Sequence, residues 1–567
     1  MQFRNLALYL QKLEETSSRI EITKILADLF KNSHVSEIDK TTYLVLGQLA
    51  PSYQGIVFNM ADKMVVRAIS LAYKKDNAEV IRLFKQKGDL GEVVSSLSLS
   101  KNNKLSILEV YEKLVKIAQD EGGGSQERKV GDLAKLFSEV DSLSAKFISR
   151  MTLGRLRLGF SDKTILDALS WLVKGDKSAK LSLEKAYFVL PDVGLLAKKV
   201  KELGLEKAVK EIKPVIGVPV LPMLAQRIKN PQEMIDKMGT VSVEPKLDGL
   251  RLSIHYKKGQ FVKAYTRNLN ENSWMFPELK KIGEQIKARE VILDSEAVGL
   301  DEETKKQANF QTTMTRRRKH EIEKTLQKIS IEFFVFDLLL KDGENLLNRS
   351  YEERRKKLGE VVKPGKILKL VDYEITKDSA RINELFREKI KEGFEGIIVK
   401  KANASYVSGR TGWRWVKMKQ EENSQAKLAD TVDAIVMGYT VGKGKRAQFG
   451  VGQFLVGIKK GEKILTTTKI GTGLTDEQFR EMKKRLGRLE VKEKPKEYEV
   501  QKNYLPDYWV TPSLVVEIAA DEITVSPTHT AGLALRFPRL VRFRDDKAPE
   551  EATTLSELKK LFEMQKV

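Results

Sequence analysis

Apolar residues recur at helical spacing through about the first 200 residues and at alternating spacing after residue 240. Leu6, Tyr9, Leu10 and Leu13 share one helical face, as do Ile22, Ile25, Leu26 and Leu29. SSLSLSKNNKLSILEVYEKLVKIA opens polar and continues at helical spacing. EGGGSQERK (121–129) reads as a mobile loop between helices. MTLGRLRLGFSDKTILDAL (151–169) joins basic residues to a Gly turn and to a Ser161-Asp162 pair suited to a helix N-cap. Pro214, Pro219 and Pro222 then crowd together, which predicts an extended linker. Beyond it Leu250, Leu252, Ile254 and Tyr256 alternate with Arg251, Ser253 and His255, KKGQ turns the chain, and FVKAY completes a hairpin. EVILDSEAVGL, IEFFVFDLLL, EGIIVKK and WRWVKMK predict further strands, with helices over YEERRKKLGEVV and SARINELFREKIKEG. From 432 onward, short strands joined by Gly and Lys turns predict a small barrel, and LSELKKLFEMQ a terminal helix. The pattern predicts a multidomain chain: an all-α domain over 1–215, an α+β domain over 216–421 and a β-barrel over 422–567.

Composition narrows the function. The chain has 567 residues, 41% of them hydrophobic, enough for several cores. Its 101 Lys and Arg against 78 Asp and Glu leave +23, which points to a polyanion, most simply nucleic acid. The plainer alternative is a solvated Lys/Glu surface of the heat-adapted kind. With no cysteine, thiol catalysis, disulfides and Cys-based zinc sites are excluded, and four histidines make a multi-histidine metal site improbable. The first 19 residues are too interrupted by polar side chains for a secretory signal, and no window reaches about 18 uncharged apolar residues. A cytoplasmic, intracellular protein without membrane contact is expected.

The sharpest local signal is VSVEPKLDGLRLSI, which sets Lys246 just after a strand among Glu244, Asp248, Gly249 and Arg251. WRWVKMK places Lys417 and Lys419 on one strand face, and two ammonium groups side by side make sense opposite a triphosphate. Glu296 and Glu395 are strand-end acids able to hold a hard divalent cation through few protein ligands. Arg536, Arg539, Arg542, Arg544 and Lys547 form a dense basic stretch. GKGKR (442–446) lacks the Ser or Thr of a P-loop, and HEIEK (320–324) lacks the second His of a zinc protease.

Taken together, EPKLDGLR (244–251), TRN (266–268), DSE (294–296), FVFD (334–337), EGIIVKK (395–401), WVKMK (415–419) and RFPRLVRFRDDK (536–547) resemble, in order, the motif series of the covalent nucleotidyltransferases. That superfamily comprises ATP-dependent DNA ligases, RNA ligases and messenger-RNA capping enzymes. The helical region with LGRLRLGFSD (153–162) resembles the DNA-binding domain of archaeal and eukaryotic replicative DNA ligases. The resemblance implies an all-α DNA-binding domain, a nucleotidyltransferase (adenylation) domain and an OB-fold closing around nicked duplex DNA. It implies Lys246 as the nucleophile that takes AMP from ATP. A normal lysine is neutral roughly once in 2,500 molecules at pH 7, so the site has to depress its pKa, and Arg251, Lys417, Lys419 and a bound cation are the candidates for doing so. Glu244 is implied at the adenine amino group and Phe336 stacked on the base, with Phe333 or Phe334 left to the core. Glu296 and Glu395 become metal and ribose ligands, with Mg²⁺ or Mn²⁺ as the ion. Arg267 is implied at the nick phosphate or the nucleotide. Arg536, Arg539, Arg542 and Lys547 are implied at the departing pyrophosphate, or on the DNA backbone. Asp248 and Asp294 carry looser roles. An RNA ligase, a capping guanylyltransferase and a non-catalytic basic DNA-binding protein are the alternatives. The helical region shows no clear peptide for docking a sliding clamp, and a monomer is expected.

Overall fold

The structure is a computed structural model and describes residues 1–98, 104–156, 158–301, 329–409, 412–419, 431–442 and 449–564. HEIEK and residues 443–446 of GKGKR lie outside the described residues. The chain divides into two compact units, Met1–Gln420 and Glu421–Val567.

The first unit begins with helices from Phe3–Glu15 to Leu205–Glu211. They share one core in which Phe3, Leu6, Leu10, Leu26, Phe30, Phe137 and Phe147 are wholly buried, so the helical periodicity marks faces that pack on one another. The stretch 121–129 is not a loop throughout. Gly124, at φ 73°, ends a short turn, and a helix over Ser125–Glu139 starts there. The glycine run conceals a helix start that its polar composition does not announce. The helix Asp162–Lys174 begins directly behind Ser161, as the Ser-Asp pair predicts.

The prolines at 214–222 do not keep the chain extended throughout: Val218 N–H donates to Val215 O (3.0 Å) across a tight turn with Gly217 at φ 88°, and the segment is strapped down. Val220 and Met223 are buried, Gly217 N–H donates to His255 Nδ1 (3.1 Å), and Tyr265 Oη donates to Gly217 O (2.6 Å). Two sheets follow. One runs in the order β1 (Gln226–Arg227), β11 (Trp415–Lys419), β10 (Gly396–Lys401), β2 (Val241–Pro245), β9 (Glu374–Thr376). The other runs β4 (Phe261–Thr266), β3 (Leu250–Lys257), β5 (Glu290–Asp301), β6 (Ile329–Lys341), β7 (Glu344–Asn345), with β8 (Leu368–Leu370) paired to β6. Helices Pro231–Met238 and Ser379–Lys391 cover the back of the first sheet through Met234, Met238, Ile382 and Leu385. The helix Tyr351–Val361 and the 3₁₀ turns of Pro277–Gln285 cover the back of the second. The inner faces meet through Leu247, Ile292, Val298, Phe336, Tyr406 and Trp415.

The second unit is β-rich. Around β12 (Val432–Thr440) lie β13 (Gln453–Lys460), β14 (Lys463–Ile470), β17 (Tyr508–Val510) and β18 (Val515–Ala519), with β15 (Glu490–Val491) paired to β17, β16 (Tyr498–Glu499) to β14 and β21 (Arg539–Phe543) to β18. β19 (Glu522–Val525) and β20 (Leu533–Arg536) form a separate pair, and Leu555–Met564 is the terminal helix. Among the described residues no helix is long and apolar enough to cross a membrane.

His255 carries a testable consequence of this packing. It has no exposed surface, and because Nδ1 accepts from Gly217, Nε2 holds the proton and donates to Ser253 Oγ (3.1 Å). Burial, aided by Lys263, pushes its pKa down to about 3. The unfolded chain takes up a proton there below about pH 6.5 and the folded chain only near 3, so this stability is complete above 6.5 and drains by about 1.4 kcal/mol per pH unit below it. His255→Gln is expected to reduce the acid slope of urea-unfolding stability between about pH 6 and 4 by about one proton.

Candidate active site

Strand register builds the site. Across β2, β10 and β11, Glu244 lies opposite Ile398 and Ile398 opposite Lys417. In the next row Ser242, Lys400 and Trp415 line up. With a period of two, Glu244, Ile398, Lys400, Trp415 and Lys417 project from the inner face, while Val243, Ile397, Val399 and Val416 project toward the helices. On the facing sheet Arg251 pairs with Glu296, so both point inward, as does Phe336, whereas Leu252, Ala297, Phe333 and Val335 enter the other core. A cavity of about 110 Å³ between the sheets is lined by Glu244, Lys246, Arg251, Glu296, Phe336, Lys400 and Trp415 among others.

Lys246 sits one residue past β2, tied to the start of β10 by two backbone hydrogen bonds: Lys246 N–H to Gly396 O (2.8 Å) and Glu395 N–H to Lys246 O (3.1 Å). Its ammonium contacts Glu395, and the other oxygen of Glu395 contacts Lys419. Burial lowers its pKa, while Glu296 and Asp248 oppose the shift. The expectation that neighbouring cations do the lowering is corrected here: loss of water comes first. Glu296 is driven up to about 7 by burial, against the pull of Arg251 and Lys246.

Two glycines make this closeness attainable. A Cβ on Gly249 would stand 2.4 Å from Ala297 O and 2.9 Å from Glu296 Cγ. A Cβ on Gly396, at φ 144°, would stand 2.2 Å from Met418 O and 2.9 Å from Lys419 Cα. Each glycine therefore lets one of the acids, Glu296 or Glu395, approach the lysine.

The far wall is aromatic and cationic. Phe336 and Trp415 meet edge to face at 6.0 Å. Lys400 Nζ lies 4.4 Å from both ring centres, and the Arg251 guanidinium lies 5.5 Å from Phe336 and 5.2 Å from Trp415. Lys400, 1% exposed, pairs with Glu244 at 2.6 Å, and the Tyr351 hydroxyl donates to the other Glu244 oxygen. Burial lowers the Lys400 pKa against the pull of Glu244. Arg251 donates from Nε and Nη2 to the two Asp294 oxygens (2.9 and 2.7 Å) and from Nη1 to Met223 O (2.6 Å). Three of its donors are thus committed to the wall, and Asp294, 3% exposed, is the wall's anchor.

Of the residues singled out from the sequence, the structure brings Lys246, Glu244, Arg251, Glu296 and Phe336 to one cavity, with Glu395 and Lys419 in contact with the lysine or its partner. Phe333 is core. Arg267 is exposed at the β4 turn and lines a different cleft, next to Arg251 and Asp294. Arg536, Arg539 and Arg542 belong to the second unit, the first half-buried and the others exposed, and are paired with Glu522, Asp521 and Glu517. Arg544 and Lys547 both grip Asp433 (3.0 and 2.7 Å) and brace the sheet. Sequence reasoning did not single out Lys400, Trp415 or Tyr351. Trp415 shares a strand face with Lys417, a period-two signal available in the motif; Lys400 and Tyr351 carry none.

A divalent cation fits this donor set. Glu296 and Glu395 offer hard oxygens beside Lys246, and among the described residues no cluster of three or more acids and histidines occurs. That suits an ion held by one or two carboxylates, water and phosphate oxygens.

Comparison with known proteins covers the whole chain. Residues 2–170 match the DNA ligase N terminus, 222–419 the ATP dependent DNA ligase domain, and 447–547 the ATP dependent DNA ligase C terminal region. The chain is 40% identical to a probable DNA ligase of Dictyoglomus thermophilum, over 100% of this chain and 98% of that protein. It is 38% identical to a DNA ligase of Pyrobaculum islandicum (100% and 99%) and 36% identical to one of Saccharolobus solfataricus (100% and 98%). A solved structure titled Pmar-Lig_Pre shares the fold at TM-score 0.54 and 18% identity, covering 95% of this chain and 99% of that one. The family models define a nucleotidyltransferase. The chain belongs to the ATP-dependent DNA ligase family.

Gly249→Ala is expected to slow covalent labelling of the protein by α-labelled ATP by about 100-fold at saturating nucleotide, because it displaces Glu296 from Lys246. Far-ultraviolet circular dichroism, unchanged, is the control.

Proposed function

We propose that this ATP-dependent DNA ligase seals 3′-hydroxyl/5′-phosphate nicks in duplex DNA through a lysine–AMP intermediate on Lys246. The observation that carries this reading is a lysine amine of depressed pKa, touching Glu395, at the floor of a cavity walled by an aromatic pair. In the first step Nζ attacks the α-phosphorus of ATP, an N–P bond forms, and the P–O bond to pyrophosphate breaks. In the second, a 5′-phosphate oxygen at the nick attacks the same phosphorus and lysine departs with a proton. In the third, the 3′-hydroxyl attacks the 5′-phosphorus and AMP leaves. All three are in-line displacements, so one cation-lined pocket serves each in turn.

The roles follow the chemistry of each side chain. Phe336 offers a ring to the adenine, and Glu244 accepts from its amino group. Lys417 and Lys419 face the phosphates, and Arg251 holds the wall through Asp294. Glu296 and Glu395 hold Mg²⁺, and one of them also receives the ribose. When bound, the ion supplies charge neutralisation at the phosphate oxygens. Arg267 receives the 5′-phosphate of the nick. The nucleotidyltransferase core spans 216–421 between a helical DNA-binding domain (1–215) and an OB-fold (422–567). The net charge of +23 suits backbone contacts without sequence preference, and affinity for nicked duplex falls steeply with salt. The protein works as a monomer.

Lys246→Ala is expected to abolish labelling by ATP and to leave measurable closure of a pre-adenylated nick, since the last step requires no covalent lysine. A variant that still took label would remove Lys246 from its role. Arg536, Arg539 and Arg542 are assigned to the departing pyrophosphate, the leaving group of the first step alone. Because Arg539 opens β21 and Arg536 ends β20, truncation there would dismantle paired strands. Point substitution is the informative test. Arg539→Ala and Arg542→Ala are expected to slow ATP labelling by about 100-fold and closure of pre-adenylated nicks by about threefold at most. Equal losses in both single-turnover assays would reassign these arginines to DNA binding.

A further inference from the structure

The turn that carries Arg267 is strained and is pinned from the helical region. Leu269 N–H donates to Thr266 O (2.8 Å) and Thr266 N–H to Asn270 O (2.9 Å), which closes a tight turn with Arg267 and Asn268 at its exposed tip. Leu269 has φ 65°, a left-handed conformation that glycine or asparagine accepts and leucine rarely adopts. Such strain persists only where the surroundings over-determine it. Here they do so from both sides. Leu269, 8% exposed, packs in a small cluster with Tyr53 and Tyr265, flanked by Val218 and Leu221. Tyr265 is held by its hydroxyl bond to Gly217 O and by its edge contact with His255, whose ring centre lies 4.9 Å away. Tyr53 comes from the turn Ser52–Gln54 among the N-terminal helices and is 9% exposed. Its hydroxyl donates to Asp192 (3.1 Å), which also receives the Tyr43 hydroxyl (2.6 Å) and Leu195 N–H (2.8 Å) at the start of helix Val193–Leu203. Among the described residues no hydrogen bond or ion pair steadies the Arg267 guanidinium. Its direction therefore depends on the turn.

We propose that Tyr53 and Leu269 are positioning residues through which the helical region sets Arg267 for the transfer of AMP to the nick. The proposal rests on the ligase reading above and on Arg267 as the receiver of the 5′-phosphate. The ring of Tyr53 packs into the cluster that holds Tyr265 and Leu269, Leu269 holds the turn in its left-handed form, and the turn aims Arg267. Lys246 lines a different cavity from Arg267, and Arg251, which borders both, is fixed by Asp294 and Met223 rather than by the turn, so the first step is expected to feel this linkage little.

The test uses full-length protein in two single-turnover assays: labelling by α-labelled ATP, and AMP transfer from preformed enzyme–adenylate to saturating nicked duplex. Tyr53→Ala and Leu269→Ala are expected to slow transfer by about tenfold or more while labelling stays within about twofold. Tyr53→Phe is expected to retain the transfer rate, because the ring joins the apolar cluster with Leu269 while the hydroxyl faces Asp192. Leu269→Asn, which suits the positive φ and keeps the turn left-handed, is expected to transfer faster than Leu269→Ala, because the turn itself aims Arg267. The decisive measurement is a double-mutant cycle: in an Arg267→Ala background, Tyr53→Ala should have no further effect. Losses that multiply, equal losses of labelling and transfer, or an Arg267→Ala protein that transfers at the wild-type rate would each overturn the proposal. Wild-type protein that took no label from ATP would sink the ligase reading itself, and this proposal with it.

Discussion

A lysine that must attack phosphorus has to lose its proton easily and still remain inside a site crowded with phosphate and carboxylate. Those demands conflict, because the acids that place it also hold its proton. Here Lys246 is withdrawn from water, which lowers its pKa, and the Glu395 carboxylate it contacts is shared with Lys419. A carboxylate divided between two ammonium groups favours protonation of either one less than a dedicated partner would. The arrangement exists only because β10 and β11 approach at Gly396, and because β3 approaches β5 at Gly249.

The rest of the core reads as support for that pocket. Arg251–Asp294, Lys400–Glu244 and Arg354–Asp337 are charge pairs with little or no exposure, the last with none at all. Buried pairs of this kind are costly to desolvate and add little to stability over apolar replacements. What they supply is fixed direction. Arg251 joins the segment at Met223 to the inner sheet, Arg354 joins the helix Tyr351–Val361 to β6, and Lys400 joins β10 to β2 across the aromatic wall. Each makes a rigid side of the cavity, as holding the proposed nucleotide in one geometry requires.

Much of this was legible in the sequence, for identifiable reasons. The β3–β4 hairpin, the helix after Ser161 and the strands carrying the motifs all follow from local spacing and turn chemistry. The helix that starts at Ser125 did not, because a glycine run dominates the local signal while the packing of Val130, Leu133 and Phe137 decides the outcome. Lys400 was hidden for a different reason. Lys400 and Lys401 are adjacent and chemically equal, and only the pairing of β10 with β2 says which of them turns inward. The linker prolines announced a break in the helices but neither the tight turn at Gly217 nor its burial, since the groups that fix it, His255 and Tyr265, lie on strands some forty residues away.

The strand register has a consequence for how this protein can change. Glu244, Ile398 and Lys417 face the cavity in one row, and Lys400 and Trp415 in the next, because three strands keep step. Insertion or loss of a single residue within β10 would reverse the two faces beyond it, sending Lys400 toward the helices and an apolar neighbour toward the nucleotide. A change of two residues would keep the faces and shift only the rows. Length variation in relatives of this chain should therefore fall outside these strands, or come in pairs within them, whatever the tolerance of the individual side chains.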